Sequence, residues 1–247
     1  MDFWEFIGDQ RVTGTGFDTF GTEHLVFVLC IAAFLALSCV LFGRLTERNQ
    51  TIVFRVWTCF TLGLEVFKQI ILIVNVRPYP ISELTLNLCG LFMFVGVLHA
   101  FRPNRVTGEL LYCLGLPSAL AALLTPDWTR YPVLNYYSLH AFLAHGFLLG
   151  APLLLLTSKR LRPDVRNLRR AAVCLVAAAI PIAVVNSLLD TNFMFLAWAP
   201  KGTPLEVFDT WFGFLGSRGY LVGLILLIAV VWTVMYLPWA IAGRKKV

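Results

Sequence analysis

Residues 24–43 read HLVFVLCIAAFLALSCVLFG, twenty positions without one Asp, Glu, Lys or Arg. At 1.5 Å per residue such a run forms a helix about 30 Å long, the thickness of a bilayer's hydrocarbon core. Six further apolar runs of comparable length follow, near 52–74, 83–101, 108–125, 134–157, 171–190 and 217–241. Several of the breaks carry helix-stopping chemistry: Arg-Pro-Tyr-Pro at 77–80, Arg-Pro-Asn at 102–104, Thr-Pro-Asp at 125–127 and Arg-Pro-Asp at 162–164. The fold class expected is an all-α membrane protein, a seven-transmembrane-helix bundle. Residues 1–247 are read as a single transmembrane domain, with 191–216 as an outer interfacial loop.

Composition supports that reading and excludes others. The 247 residues are 58% hydrophobic and only 14% charged, with a mean hydropathy of +0.76, whereas an ordinary soluble domain carries charge on roughly a quarter of its residues. Cys30, Cys39, Cys59, Cys89, Cys113 and Cys174 all fall inside apolar runs, which does not fit an extracellular disulfide framework. Residues 1–23 hold Asp2, Glu5, Asp9, Asp18 and Glu23 against Arg11, the reverse of a signal peptide's basic start, so no cleavable leader is expected.

The net charge of +6 is informative by position. Fourteen of the 20 Lys and Arg residues fall at alternate helix ends: Arg44, Arg48 and Arg55; Arg102 and Arg105; Lys159, Arg160, Arg162, Arg166, Arg169 and Arg170; and Arg244, Lys245 and Lys246. The opposite ends hold Arg11, Arg77, Arg130 and Lys201. The positive-inside rule then predicts an outside N-terminus and a cytoplasmic C-terminus, in a cell membrane. The basic stretch 159–170 is what such a topology requires, so no nucleic-acid partner is expected.

Polar residues inside hydrocarbon are costly, and those that occur usually face the protein interior. Glu65, Lys68 and Gln69 lie near the outer end of the second run, at offsets that stack on a helix. Asn87 and Cys89 lie about 6–9 Å below the outer boundary of the third, and His140 and His145 about 9 and 16 Å deep in the fifth. Asn186 and Asp190 close the sixth at the same side. Four helices thus bring polar groups to the outer half, where they predict a binding or reaction chamber, while the inner half is expected to hold almost none.

Cys89 stands out because its depth is shared by polar groups, with Thr85 expected one helical turn earlier on its face. A thiol attacks as thiolate, which a hydrocarbon setting disfavours, so a base must adjoin it. An imidazole is the natural one. His140 and His145, five residues apart, point about 140° from each other and cannot both face one sulfur. The same angle argues against paired zinc ligands, which on a helix sit at i and i+4; a zinc-dependent intramembrane hydrolase would need a third ligand such as Asp190 or Glu65. Asn87, Asn135 and Asn186 are candidates for oxyanion donors, with helix capping as the simpler role. The aromatic 191–216 segment reads as an interfacial belt or as a lid.

The segments Leu-Asn-Leu-Cys-Gly-Leu at 86–91, Leu-Thr-Pro-Asp-Trp at 124–128, His-Ala-Phe-Leu-Ala-His at 140–145 and Asp-Thr-Asn-Phe-Met-Phe-Leu at 190–196 resemble the YwaF family of bacterial membrane proteins, related to animal transmembrane protein 164. More remotely, the chain is similar to androgen-induced membrane hydrolases of fatty-acid esters. The resemblance implies a bacterial plasma-membrane enzyme that transfers or hydrolyses lipid acyl groups, acting on phospholipid, lysophospholipid or fatty-acyl ester, with no metal or organic cofactor. It carries the nucleophile to Cys89 and the base to one of His140 and His145, with His145 favoured by spacing. Thr85 is kept as a second nucleophile, because remote members use threonine. Glu65 and Lys68 are then expected to set the electrostatics. The rival reading is an ion- or proton-coupled transporter using Glu65, Lys68, the histidines and Asp190 as a relay.

Overall fold

The computed structural model describes residues 3–6, 16–201 and 203–244. Asp2, Asp9 and Arg11, used above for the N-terminus, and Lys245 and Lys246, counted at the C-terminus, lie outside the described residues. Among those described the protein is all-helical, without strands, and seven helical segments are long and apolar enough to cross a membrane. They cover every span expected from the sequence.

The helices are α1 (Thr22–Gly43), α2 (Glu47–Asn75), α3 (Leu88–Phe101), α4 (Arg105–Leu110), α5 (Leu116–Leu124), α6 (Tyr136–Thr157), α7 (Leu168–Leu189), α8 (Pro204–Phe212) and α9 (Tyr220–Arg244). α4 and α5 form one span, Arg105–Leu124, joined by a π-helical turn at Leu111–Gly115 whose five residues are all buried. Boundaries follow local chemistry. The Thr46 hydroxyl accepts from the Asn49 amide to cap α2, the Asn104 side chain from the Thr107 amide to cap α4, and the Asn135 side chain from the Tyr137 amide to cap α6.

The contacts sort into two compact units, Met1–Thr85 with Cys89–Arg162, and Leu86–Leu88 with Pro163–Val247. In the first, α6 is the hub, flanked by α1, α2 and α5. Its 22 residues include Phe142, Ala144, Leu148, Leu154 and Leu155, each no more than 2% exposed. Helices in lipid gain little from apolar burial against each other, so small residues that permit close approach matter. Gly150 shows this: a Cβ there would stand 2.4 Å from the Trp57 ring. Trp57 uses the proximity to donate its indole N–H to the Phe147 carbonyl at 2.7 Å, tying α2 to α6.

In the second unit α8 packs on α9. The 191–216 segment is therefore not all loop, since α8 starts at Pro204 behind the Thr203 hydroxyl, which accepts from the Leu205 amide. Trp211 and Phe214 are exposed, as an interfacial segment requires. Tyr220, fully buried, donates from its hydroxyl to the Phe195 carbonyl at 2.8 Å.

Candidate active site

Within the first unit, α2, α3 and α6 bring together five side chains singled out from the sequence: Glu65, Lys68, Cys89, His140 and His145. Glu65 is buried, yet its carboxylate is well supplied with donors. Oε1 accepts from the Gln69 amide at 2.8 Å and from the Thr85 hydroxyl at 2.8 Å, and lies 3.2 Å from Lys68 Nζ. Oε2 lies 3.6 Å from His140 Nε2. Lys68 is shared with Glu83, whose Oε2 is 3.3 Å away. A buried carboxylate holds its charge only where such partners replace water.

Glu83 and Tyr79 extend this network from the segment ahead of α3. Gln69 donates to the Glu83 carbonyl at 2.7 Å, and the Tyr79 hydroxyl donates to Gln69 Oε1. Burial raises the Tyr79 phenol above its ordinary value, so it remains a neutral donor. Neither residue was singled out from the sequence. Glu83 begins an apolar run and Tyr79 stands between two prolines, so both looked like boundary residues.

Thr85 departs from its expected place. It precedes α3, which begins at Leu88, so it does not stack one turn before Cys89. Its hydroxyl is bound to Glu65 instead.

The two histidines separate as their spacing requires. His140 is buried with its Nε2 near Glu65 and in no hydrogen bond. His145 lies within electrostatic and side-chain hydrogen-bonding reach of the Cys89 thiol. Its Nδ1–H donates to the Ala141 carbonyl one helical turn back, at 2.8 Å. A carbonyl can only accept, so this bond places the ring proton on Nδ1 and leaves Nε2 with its lone pair. The Trp128 indole stacks on the imidazole, with centroids 5.2 Å apart and planes 10° from parallel, and the Asp127 carboxylate is close enough to act on it electrostatically. Sequence reasoning missed the roles of Trp128 and Asp127, although both belong to the quoted stretch Leu-Thr-Pro-Asp-Trp.

The proposed oxyanion donors have structural partners. Asn135 caps α6, and its Nδ2 donates to the Glu5 carbonyl at 3.0 Å. In the second unit, Asn186 Oδ1 accepts from the Phe193 amide at 2.8 Å and the Thr191 hydroxyl at 3.0 Å, while its Nδ2 donates to the Phe193 carbonyl at 2.9 Å. Asn87 Oδ1 accepts from the Met194 amide at 3.1 Å. Asp190 ends α7 in a left-handed conformation, a position short polar side chains tolerate.

The half of the first unit away from the Glu65 cluster, expected to hold almost no polar groups, is less empty than that. Glu109 is 2% exposed and His99 is buried, its Nδ1 2.8 Å from the Thr107 hydroxyl. Among the described residues no group of three His, Cys, Asp or Glu side chains is arranged to hold a metal ion.

A model of the TMEM164 family matches residues 19–236, nearly the whole chain. The protein belongs to the TMEM164 family. The match spans six of the seven candidate membrane helices in full, most of the seventh, and every residue of the site. No match is found among curated proteins or among solved structures. The chain is a multi-pass membrane protein by its family and its apolar helices together.

Proposed function

We propose that this TMEM164 family member is a membrane-embedded lipid acyl-transfer enzyme, a glycerophospholipid acyltransferase or a lipid ester hydrolase, with Cys89 as nucleophile and His145 as general base. The observation that carries this is the wiring of His145: Nδ1 is committed to the Ala141 carbonyl, and the thiol of Cys89 lies within side-chain hydrogen-bonding reach of the ring. An imidazole held in that tautomer has one free lone pair, and a neighbouring S–H is the proton it can take.

In the first half-reaction Nε2 removes the thiol proton and sulfur attacks the acyl carbonyl. A C–S bond forms, the bond to the leaving group breaks, and the imidazolium returns the proton to that group, leaving an acyl thioester on Cys89. In the second half the same nitrogen takes a proton from the acceptor, a lysolipid hydroxyl or water, whose oxygen displaces the thiolate; sulfur is then reprotonated. Trp128 holds the ring plane by stacking. Glu65, placed between Lys68 and His140, sets the local charge without touching the thiol.

The positive-inside rule puts the basic helix ends in the cytoplasm, with the N-terminus outside and the site in the outer half of a cell membrane. No metal or organic cofactor enters these steps.

The test is labelling of the full chain, in detergent, with a fatty-acyl thioester, followed by mass analysis of the Cys89 peptide. Wild type acquires the acyl group, Cys89→Ala does not, and His145→Ala acquires it far more slowly than His140→Ala. Acylation that survives Cys89→Ala moves the nucleophile, with Thr85 and its Glu65 partner next in line. A relay transporter predicts a different pattern, in which Glu65→Gln abolishes function and Cys89→Ser leaves it intact.

A further inference from the structure

Cys89 and Gly90 are the second and third residues of α3. The first four amides of a helix have no acceptor within it, so its opening turn has the fewest backbone bonds to hold it in place. A thiol carried there keeps its distance from a base only if something outside the helix braces that turn. Gly90 is buried and stands against such a brace. A Cβ at position 90 would come 2.6 Å from the Thr85 methyl and 3.3 Å from the Thr85 carbonyl oxygen, whereas carbon atoms rest about 3.5–4.0 Å apart. Thr85 therefore packs directly on the α3 backbone beside Cys89, an approach that only glycine allows.

Thr85 is gripped at its other end by α2. Its hydroxyl donates to Glu65 Oε1 at 2.8 Å and stands 3.2 Å from Gln69 Nε2. Gln69 Nε2 also lies 2.8 Å from Glu65 Oε1 and 2.7 Å from the Glu83 carbonyl, so α2 holds the chain ahead of α3 at residues 83 and 85. Hydroxyl and methyl share one carbon in threonine, and χ1 is confined to staggered positions. Swinging the methyl away from residue 90 therefore takes the hydroxyl off Glu65. The anchor on α2 and the contact with α3 cannot be moved independently.

Resting on the Cys89–His145 reading above, we propose that Thr85 is a positioning residue for the nucleophile: anchored through its hydroxyl to Glu65, it bears with its methyl on Gly90 and holds the first turn of α3 so that the Cys89 thiol meets His145. Glu65 then serves the reaction as a fixed post on α2, acting through Thr85, and the donors around its carboxylate keep that post in place. Thr85 itself takes no part in bond making. Two substitutions separate its halves. Thr85→Val keeps a methyl at the branch and deletes the hydroxyl, whereas Thr85→Ser keeps the hydroxyl and deletes the methyl. Gly90→Ala forces the threonine methyl aside; with Thr85→Ser added, the alanine methyl fills the place that the threonine methyl leaves.

The experiment uses the full-length protein in detergent and measures single-turnover acylation of Cys89 by a saturating octanoyl thioester, located by mass analysis and expressed per folded molecule. Thr85→Val is expected to slow it by about tenfold or more, since a shift of about 1 Å between reacting groups can cost about 100-fold. In a His145→Ala background the same substitution is expected to change the rate by no more than about twofold, because a thiol without its base gains nothing from being held there. A purely structural loss would carry over in full. Gly90→Ala is expected to slow acylation as Thr85→Val does, and Gly90→Ala with Thr85→Ser to recover most of that loss. A wild-type rate in Thr85→Val, an equal fold-loss with and without His145, or a double variant no faster than Gly90→Ala overturns the brace while leaving Cys89 acylation standing. If Thr85→Val does not fold, the two Gly90→Ala proteins decide alone. A wild type that takes no acyl group on Cys89 overturns the nucleophile, and this inference with it; an acyl group found on Thr85 in Cys89→Ala gives Thr85 the nucleophile's part instead.

Discussion

At the start of α1, His24 is fully enclosed and both ring nitrogens are engaged: Nδ1 accepts from the Phe20 amide at 2.9 Å and Nε2 donates to the Leu123 carbonyl at 2.8 Å. Phe17 stacks alongside, its ring centroid 6.1 Å away. On α6, His145 engages Nδ1 with a backbone carbonyl and has the Cys89 thiol within hydrogen-bonding reach of the ring. Both imidazoles are held in one orientation by main-chain bonds and an aromatic neighbour, and they differ in what is left over. A ring with no spare valence can join helices. A ring with one lone pair held beside an S–H can move a proton. The same contrast separates the start of α2, where Gln50 donates to the Phe42 carbonyl and Arg55 to the Ala100 carbonyl, from the Glu65 cluster, where side chains from distant parts of the chain meet each other.

The sharpest break of this comparison is kinetic. His145→Ala is expected to slow Cys89 acylation by about 10²- to 10⁴-fold, the usual worth of a positioned general base, measured as single-turnover rate at saturating thioester. His24→Ala should leave that rate unchanged per folded molecule. If the two variants slow the reaction equally, the spare lone pair is not what distinguishes them.

Glu65→Ala should come next, because it removes the partner shared by Lys68, Gln69 and Thr85 and leaves Lys68 with Glu83 alone. Breaking a buried ion pair by deleting one member costs about 3–5 kcal/mol, read as a lower unfolding temperature in detergent. Glu65→Gln keeps two hydrogen bonds and should recover part of that loss. A Glu65→Ala protein as stable as wild type would mean that water already satisfies the cluster.

His24→Ala is expected to cost less, about 1–3 kcal/mol, the penalty for leaving the Leu123 carbonyl and the Phe20 amide without their partner in a buried setting. The same unfolding measurement checks it, and a cost above that of Glu65→Ala would reverse the ranking of the two regions.

These differences also explain which parts were readable in advance. All seven spans could be placed from apolar length, because a bilayer demands about 20 residues of hydrocarbon-compatible helix whatever the sequence context. The π-helical turn at Leu111–Gly115 had no such signal, since its residues are as apolar as their neighbours. Depth along the helices put Glu65, Cys89, His140 and His145 at one level, and the structure brings Glu65 to His140 and Cys89 to His145. Helical rise and angle alone did not choose between the histidines; family resemblance favoured His145, whose Nδ1 bonds the Ala141 carbonyl. Trp128, Asp127, Glu83 and Tyr79 reach the site from segments outside the long helices, where spacing carries no direction. Thr85 was misplaced for the same reason, because helical stacking was assumed before the helix begins.

The smallest expected effect concerns Asn135, and it bears on how an asparagine near a site should be read. Its Oδ1 caps α6 and its Nδ2 ties the described N-terminal residues to that cap. Asn135→Ala should therefore cost about 0.5–2 kcal/mol of stability, the usual loss of a helix cap, while Asn135→Asp, which keeps the acceptor, should lose less. An oxyanion donor behaves in the opposite way: its removal costs about 10²- to 10³-fold in rate, and aspartate, which has no N–H to offer, fails as badly as alanine. Acylation rate and unfolding temperature, measured on both variants, separate the two roles. A rate that collapses in Asn135→Asp at unchanged stability would move Asn135 from a helix cap into the chemistry of the site.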